Sequence, residues 1–288
     1  MDRKLRAELE PLGVRMLDGD VLALALPTPT LPPATTTNHY VIGRSRALLV
    51  DPATPDRRAQ DKLHQTLALL TANGWQFQAL LLTHHHHDHV GAAMPLSQRL
   101  DLPIWAHAAT ATRLAGEVTV HAEVSDGALV AQDADGSQWR ALHTPGHAAG
   151  HLVLQNDQHL GMIAGDMVAG EGTIVVDPRD GRMADYLASL ERMAQAKPAF
   201  LAPSHGAVLP DAQAVLRHYR EHRLAREAKV RAALPTKWTP PHDLLPAAYG
   251  DVARRHWPLA LRALLAHLIH LEEQGLAQGD RGLWRRAG

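Results

Sequence analysis

The chain has 288 residues, 45% hydrophobic and 20% charged, with a formal net charge of -1. That length and balance fit one large domain, or a medium one with a small appendage, and give the whole molecule no bias toward nucleic acid or membrane surfaces. The absence of cysteine excludes disulfide scaffolds and thiolate metal sites.

Met1 to Glu10 lacks the apolar core of a secretion signal, and no run approaches the roughly 18 apolar residues of a membrane span. A cytoplasmic protein without membrane contact is therefore expected. Val21 to Leu26, Tyr40 to Ile42 and Ala47 to Val50 read as strands, with a proline-rich loop from Pro27 to Pro33. Asp56 to Ala72 has helical spacing through Leu63, Leu67 and Leu70 and closes at Asn73-Gly74. Phe77 to Leu82 is almost wholly apolar, as suits a strand covered on both faces. Further strands are expected at Pro103 to Ala106, Gln138 to His143, Leu152 to Gln155, Leu160 to Ala164 and Ala199 to Ala202. This order predicts an α/β domain whose helices cover two packed sheets.

From Asp211 the pattern becomes helical. Ala212 to Ala233 is one long helix, and Leu259 to Gly275 is a second, with Leu261, Leu264, Leu265 and Leu268 on one stripe and Gly275 as its cap. Alternating residues around Gly279-Asp280 predict a hairpin over Leu276 to Arg286. Helices followed by a hairpin outline a winged helix, so the expected domains are residues 1–220 and 221–288. From His222 to Gly288 there are eleven Lys/Arg and six Asp/Glu, against 18 and 24 in the rest of the chain. Arg254, Arg255, Arg262, Arg281, Arg285 and Arg286 make this tail a candidate phosphate-contacting surface for RNA or single-stranded nucleic acid. The competing expectation is a structural cap or a homodimer contact.

Histidine is the outlier, with 20 residues, four of them consecutive at His84 to His87. The run follows an apolar strand, and in the spacing H-x-H-x-D-H its ligands are His84, His86, Asp88 and His89. Residues two apart in extended chain point the same way, so His84 and His86 can grip one ion. Asp88 and His89 fall where the chain turns and can grip a second. Imidazole and carboxylate are the ligands zinc takes when no thiolate is present. Three more groups stand just past predicted strand ends, where active sites of layered α/β folds collect. His147 in Thr144-Pro145-Gly146-His147 can complete the first shell, His205 in Ser204-His205-Gly206 the second, and Asp166 can bridge. His85 and His87 read as spacers, His151 as a strand opener, His143 as a sheet-face residue, and His107 as a strand-end residue outside the ligand set.

The order H-x-H-x-D-H, TPGH, GD and SHG resembles the metallo-β-lactamase superfamily over residues 14–210. Gly170-Glu171-Gly172-Thr173, the run His205 to Arg226, Leu261 to Gly275 and Trp284 resemble its branch with a C-terminal winged helix, which includes an endoribonuclease. The resemblance implies a four-layer αββα sandwich plus a small winged-helix domain. It also implies two divalent ions, zinc first and Mn2+ or Fe2+ as alternatives, activating a hydroxide for hydrolysis. Asp88 then serves as ligand and as catalytic proton acceptor. The expected substrate is anionic or ester-type: a phosphodiester in the nuclease reading, or a thioester or lactone in a glyoxalase-II-like one. β-Lactam hydrolysis and iron-dependent persulfide oxidation rank below these. Three positions depart from the family pattern: Ala148 replaces a frequent hydroxyl residue, His39 a more usual threonine, and Ala53 a glycine after Asp51.

Overall fold

The computed structural model describes residues 3–17, 21–158 and 161–288. The chain divides into two compact units: Met1–His143, Gly150–Thr173 and Lys197–Ala212 form the first, and Thr144–Ala149, Ile174–Ala196 and Gln213–Gly288 the second.

The first unit holds two sheets. Seven strands lie in sequence order: β1 (Arg15–Met16), β2 (Leu22–Pro27), β3 (Thr36–Ile42), β4 (Ala47–Val50), β5 (Phe77–Leu81), β6 (Ile104–Ala106) and β7 (Ala122–Glu123). The first four run antiparallel, and β4 through β7 run parallel. The second sheet comprises β8 (Leu129–Gln132), β9 (Gln138–His143), β10 (Leu152–Asn156), β11 (Gly161–Gly165) and β12 (Phe200–Pro203), in the order β12-β11-β10-β9-β8. Of the expected strand Leu160 to Ala164, Leu160 lies outside the described residues.

Period-two alternation explains the uninterrupted apolar strands. In β4, Ala47 and Leu49 face a core shared with Leu63, Leu67 and Leu70, while Leu48 and Val50 face a second core with Trp139, Leu152 and Ile163. The second core fills the space between the sheets, and the first lies under helices. Those helices are α1 (Arg3–Leu9), which inserts Leu5 and Leu9, α2 (Arg57–Ala72) and α4 (Ala93–Leu100), the last following the short α3 (His87–Val90). The Asp56 carboxylate caps α2 by accepting the Ala59 N–H at 2.8 Å. Each fully buried leucine of α2 contributes about 1.5–3 kcal/mol of burial free energy. A further helix, α5 (Ala108–Arg113), follows β6.

The second unit is built on α6 (Met183–Gln195), nearly all of α7 (Ala212–Ala233), α8 (Leu245–Ala248), α9 (Trp257–Glu273) and the hairpin β13 (Ala277–Asp280) and β14 (Leu283–Arg286). Val230, Leu234, Leu264, Leu268, Leu271 and Trp284 form its core. Gly275, at φ +73°, follows α9 as the sequence predicts. The hairpin is where expected, but its turn is Arg281-Gly282 and not Gly279-Asp280. Both turn residues have positive φ, +46° and +80°, the backbone of a tight two-residue hairpin turn. Among the described residues no helix is long and apolar enough to cross a membrane.

Candidate metal centre

Strand β5 delivers Thr83 and His84 to the end of the first sheet. His86 then stands at the N-terminus of α3, whose first turn carries Asp88 and His89. Asp166 follows β11, and His205 follows β12. His84, His89 and Asp166 present ligand atoms within 4.8 Å of one another, as do Asp88, His89 and His205. His89 and His205 each place Nε2 at 3.6 Å from Asp166 Oδ1. His205 Nε2 also lies 3.6 Å from Asp88 Oδ2. Six of the seven residues singled out in the sequence therefore sit at one end of the first unit. The seventh, His147, belongs to the second unit, where it is 7% exposed.

What the imidazoles offer is set by hydrogen bonds at their other nitrogens. Asp51, just past β4, is the organiser. Its Oδ1 accepts the Thr83 N–H at 2.7 Å, and its Oδ2 accepts the Thr83 hydroxyl at 2.7 Å and His89 Nδ1 at 2.8 Å. Because the Thr83 hydroxyl spends its proton on Asp51, its oxygen accepts from His84 Nδ1, 3.0 Å away. One carboxylate thus fixes two rings with Nδ1–H inward and Nε2 toward the centre. His205 Nδ1 donates to the Thr36 carbonyl at 3.0 Å, and His147 Nδ1 to the Val175 carbonyl at 2.8 Å. His86 is the exception. It turns Nδ1 toward His84 Nε2 at 3.0 Å, so these two nitrogens face each other.

This donor set fits divalent cations. His89 is completely buried, and among the described residues its Nε2 has no hydrogen-bond partner. Burial pulls the His89 imidazolium pKa down. The Asp166 and Asp51 carboxylates outweigh that effect and raise it well above the ordinary histidine range. Asp88 is held twice: its Oδ2 accepts the Thr30 hydroxyl at 2.5 Å, and its backbone carbonyl accepts the Thr37 hydroxyl at 3.0 Å.

His87 is exposed and His85 half-buried. His107 caps α5 through Nδ1 and stacks on His143 at 4.0 Å between centroids, 10° from parallel. Sequence reasoning missed Thr30 and the organising role of Asp51. The only local signal for Asp51 was an acidic residue immediately after a buried strand, and for Thr30 there was none.

A family model described as the metallo-beta-lactamase superfamily matches residues 32–205, and one described as the beta-lactamase associated winged helix domain matches residues 241–284. The chain is 27% identical over 252 residues to the beta-lactamase-like protein 2 homolog of Drosophila melanogaster, covering 83% of each chain. It is 31% identical over 199 residues to an atrochrysone carboxyl ACP thioesterase of Aspergillus chevalieri, covering 69% of this chain and 60% of that one. Among solved structures, a beta-lactamase domain protein from Burkholderia ambifaria superposes with TM-score 0.78 at 22% identity, over 95% of this chain and 93% of the other. A metallo-beta-lactamase family protein from Thermus thermophilus gives 0.73 at 24% identity, over 94% and 100%. These two likenesses show the fold.

Proposed function

Because the chain belongs to the metallo-beta-lactamase superfamily of metal-dependent hydrolases, we propose that it is a binuclear zinc enzyme with ligands His84, His86 and His147 for one ion and Asp88, His89 and His205 for the other, bridged by Asp166. The observation that carries the reading is the orientation of the rings. His84, His89, His147 and His205 each spend Nδ1–H on a protein acceptor, and the Nε2 atoms of His89 and His205 each lie 3.6 Å from Asp166 Oδ1. When bound, the ions supply Lewis acidity that brings the pKa of a water near neutrality and stabilises negative charge in the transition state. Asp88 orients the attacking water through its carboxylate and takes its proton. The Thr30 hydroxyl occupies Oδ2 and leaves Oδ1 for this role. Two carboxylates against two dications leave the site positive, which favours ester substrates that build up anionic charge.

The first substrate reading is a phosphodiester in single-stranded RNA. It is supported by the winged-helix unit, where Trp238, 40% exposed, lies under the Arg285 guanidinium at 4.5 Å. An aromatic face beside a cation is a stacking platform for unpaired bases. The second reading, a thioester, is favoured by the 31% identity to a fungal acyl-carrier thioesterase. Zinc-loaded protein assayed on labelled RNA, acyl thioesters and lactones separates them. Asp88→Asn is expected to lower turnover of the true substrate by about 100-fold or more. Full activity in that variant would remove Asp88 from its role, and chelator-treated protein that keeps its activity would remove the metal.

A further inference from the structure

His151 belongs to neither proposed ligand shell, yet it is completely buried between two of their members. It stands directly before β10, at the point where the Leu152 N–H donates to the Thr83 carbonyl at 2.9 Å and ties the second sheet to the segment bearing His84. Its Nε2 accepts the backbone N–H of Asp166 at 3.0 Å. Its ring lies 5.2 Å from that of His84, tilted by 37°. A backbone N–H can only donate, so Nε2 carries no proton and the neutral ring is the Nδ1–H tautomer.

The residue before Asp166 is shaped to this contact. Gly165 has φ +53°, and a Cβ there would fall 2.4 Å from His151 Nε2. The pairing of β11 with β12 also shifts register between Ile163 and Gly165. The chain thus leaves its ladder just where Asp166 must turn toward the centre, and the imidazole takes the backbone N–H that the departure releases. One side chain holds the backbone of the bridging carboxylate and packs against the first imidazole.

We propose that His151 is a positioning residue that sets the place of Asp166 relative to His84, and through it the grip on the second ion. The inference rests on the binuclear reading above. Glutamine reproduces the acceptor, since its Oε1 is as many bonds from Cβ as the imidazole Nε2. Asparagine is one bond short, and phenylalanine keeps the ring without an acceptor. The test measures zinc affinities by chelator competition and, in metal-free protein, hydrogen exchange at the Asp166 amide. H151Q should stay within a few-fold of wild type in both. H151F and H151N should lose protection at Asp166 and bind the second zinc about 10–100-fold more weakly. Wild-type protein that takes up fewer than two zinc ions overturns the binuclear reading itself. Wild type with two, matched in affinity by folded H151F or H151N, overturns this inference alone. Should neither variant fold, rapid exchange at the wild-type Asp166 amide, or a protonated wild-type Nε2 seen by nitrogen NMR, would equally overturn it.

Discussion

Replacing Asp51 by asparagine tests the tautomer control on which the centre depends. The Thr83 N–H cannot reverse, so it keeps the amide oxygen in the place of Oδ1. The amide nitrogen then occupies the place of Oδ2, within 2.7 Å of the Thr83 hydroxyl and 2.8 Å of His89 Nδ1. It donates where the carboxylate accepted. His89 must accept at Nδ1, which moves its proton to Nε2. The Thr83 hydroxyl now accepts from the amide and turns its own proton toward His84 Nδ1, which reverses the second ring as well. Both Nε2 atoms face the centre carrying hydrogen. Restoring each ring for metal binding sacrifices a buried hydrogen bond, about 1–3 kcal/mol. Loss of one such orienting partner typically weakens metal binding about 10–100-fold, and here two rings are affected. Asp166, the stronger of the two carboxylates acting on His89, is untouched, so proton competition changes less than the tautomers do. Metal-free stability should fall by about 1–3 kcal/mol, because the buried His89 ring exchanges a carboxylate partner for a neutral amide. Chelator competition with zinc and urea unfolding of the metal-free protein give the two numbers. Zinc affinity within threefold of wild type in a folded D51N would refute the reasoning.

Two further substitutions probe the frame. Gly206 has φ +83°, and a Cβ there would lie 2.4 Å from the Glu171 N and 2.5 Å from the Gly170 carbonyl carbon, both backbone atoms. Gly206→Ala should therefore destabilise the fold by at least about 2 kcal/mol in urea titration and displace His205, weakening zinc; unchanged stability would show that the two loops yield freely. Burial lowers the His39 pKa from 6.5 to about 4, with Nε2 accepting the Ala53 N–H at 3.0 Å. Below pH 6.5 the unfolded chain binds a proton that the folded one refuses, so stability falls with pH until about pH 4 and is unaffected above 6.5. Between pH 7 and 4.5 this amounts to about 2–3 kcal/mol, which H39Q should remove from the urea-measured loss; the same loss in the variant would contradict it.

The proposed ligands are each announced locally in the sequence. An apolar strand precedes Thr83-His84, Gly165-Asp166 and Ser204-His205, and strand ends are fixed by short-range alternation. The same local signals placed β4, β9 and α7 at their observed bounds, and α2 and β5 within a residue of them. The hairpin turn was misplaced because Gly279-Asp280 and Arg281-Gly282 are equally good turn formers locally, and the pairing of Ala277 with Arg286 decides between them. Which nitrogen each histidine offers was not legible. His89 is oriented by a residue 38 positions earlier, Asp88 by Thr30 across 58, and His205 by Thr36 across 169. Residue type and spacing determine which atoms can bind a cation. Only the meeting of strand ends in space decides which of those atoms carry a proton and which remain open, because a hydrogen bond depends on distance between chains and not along one.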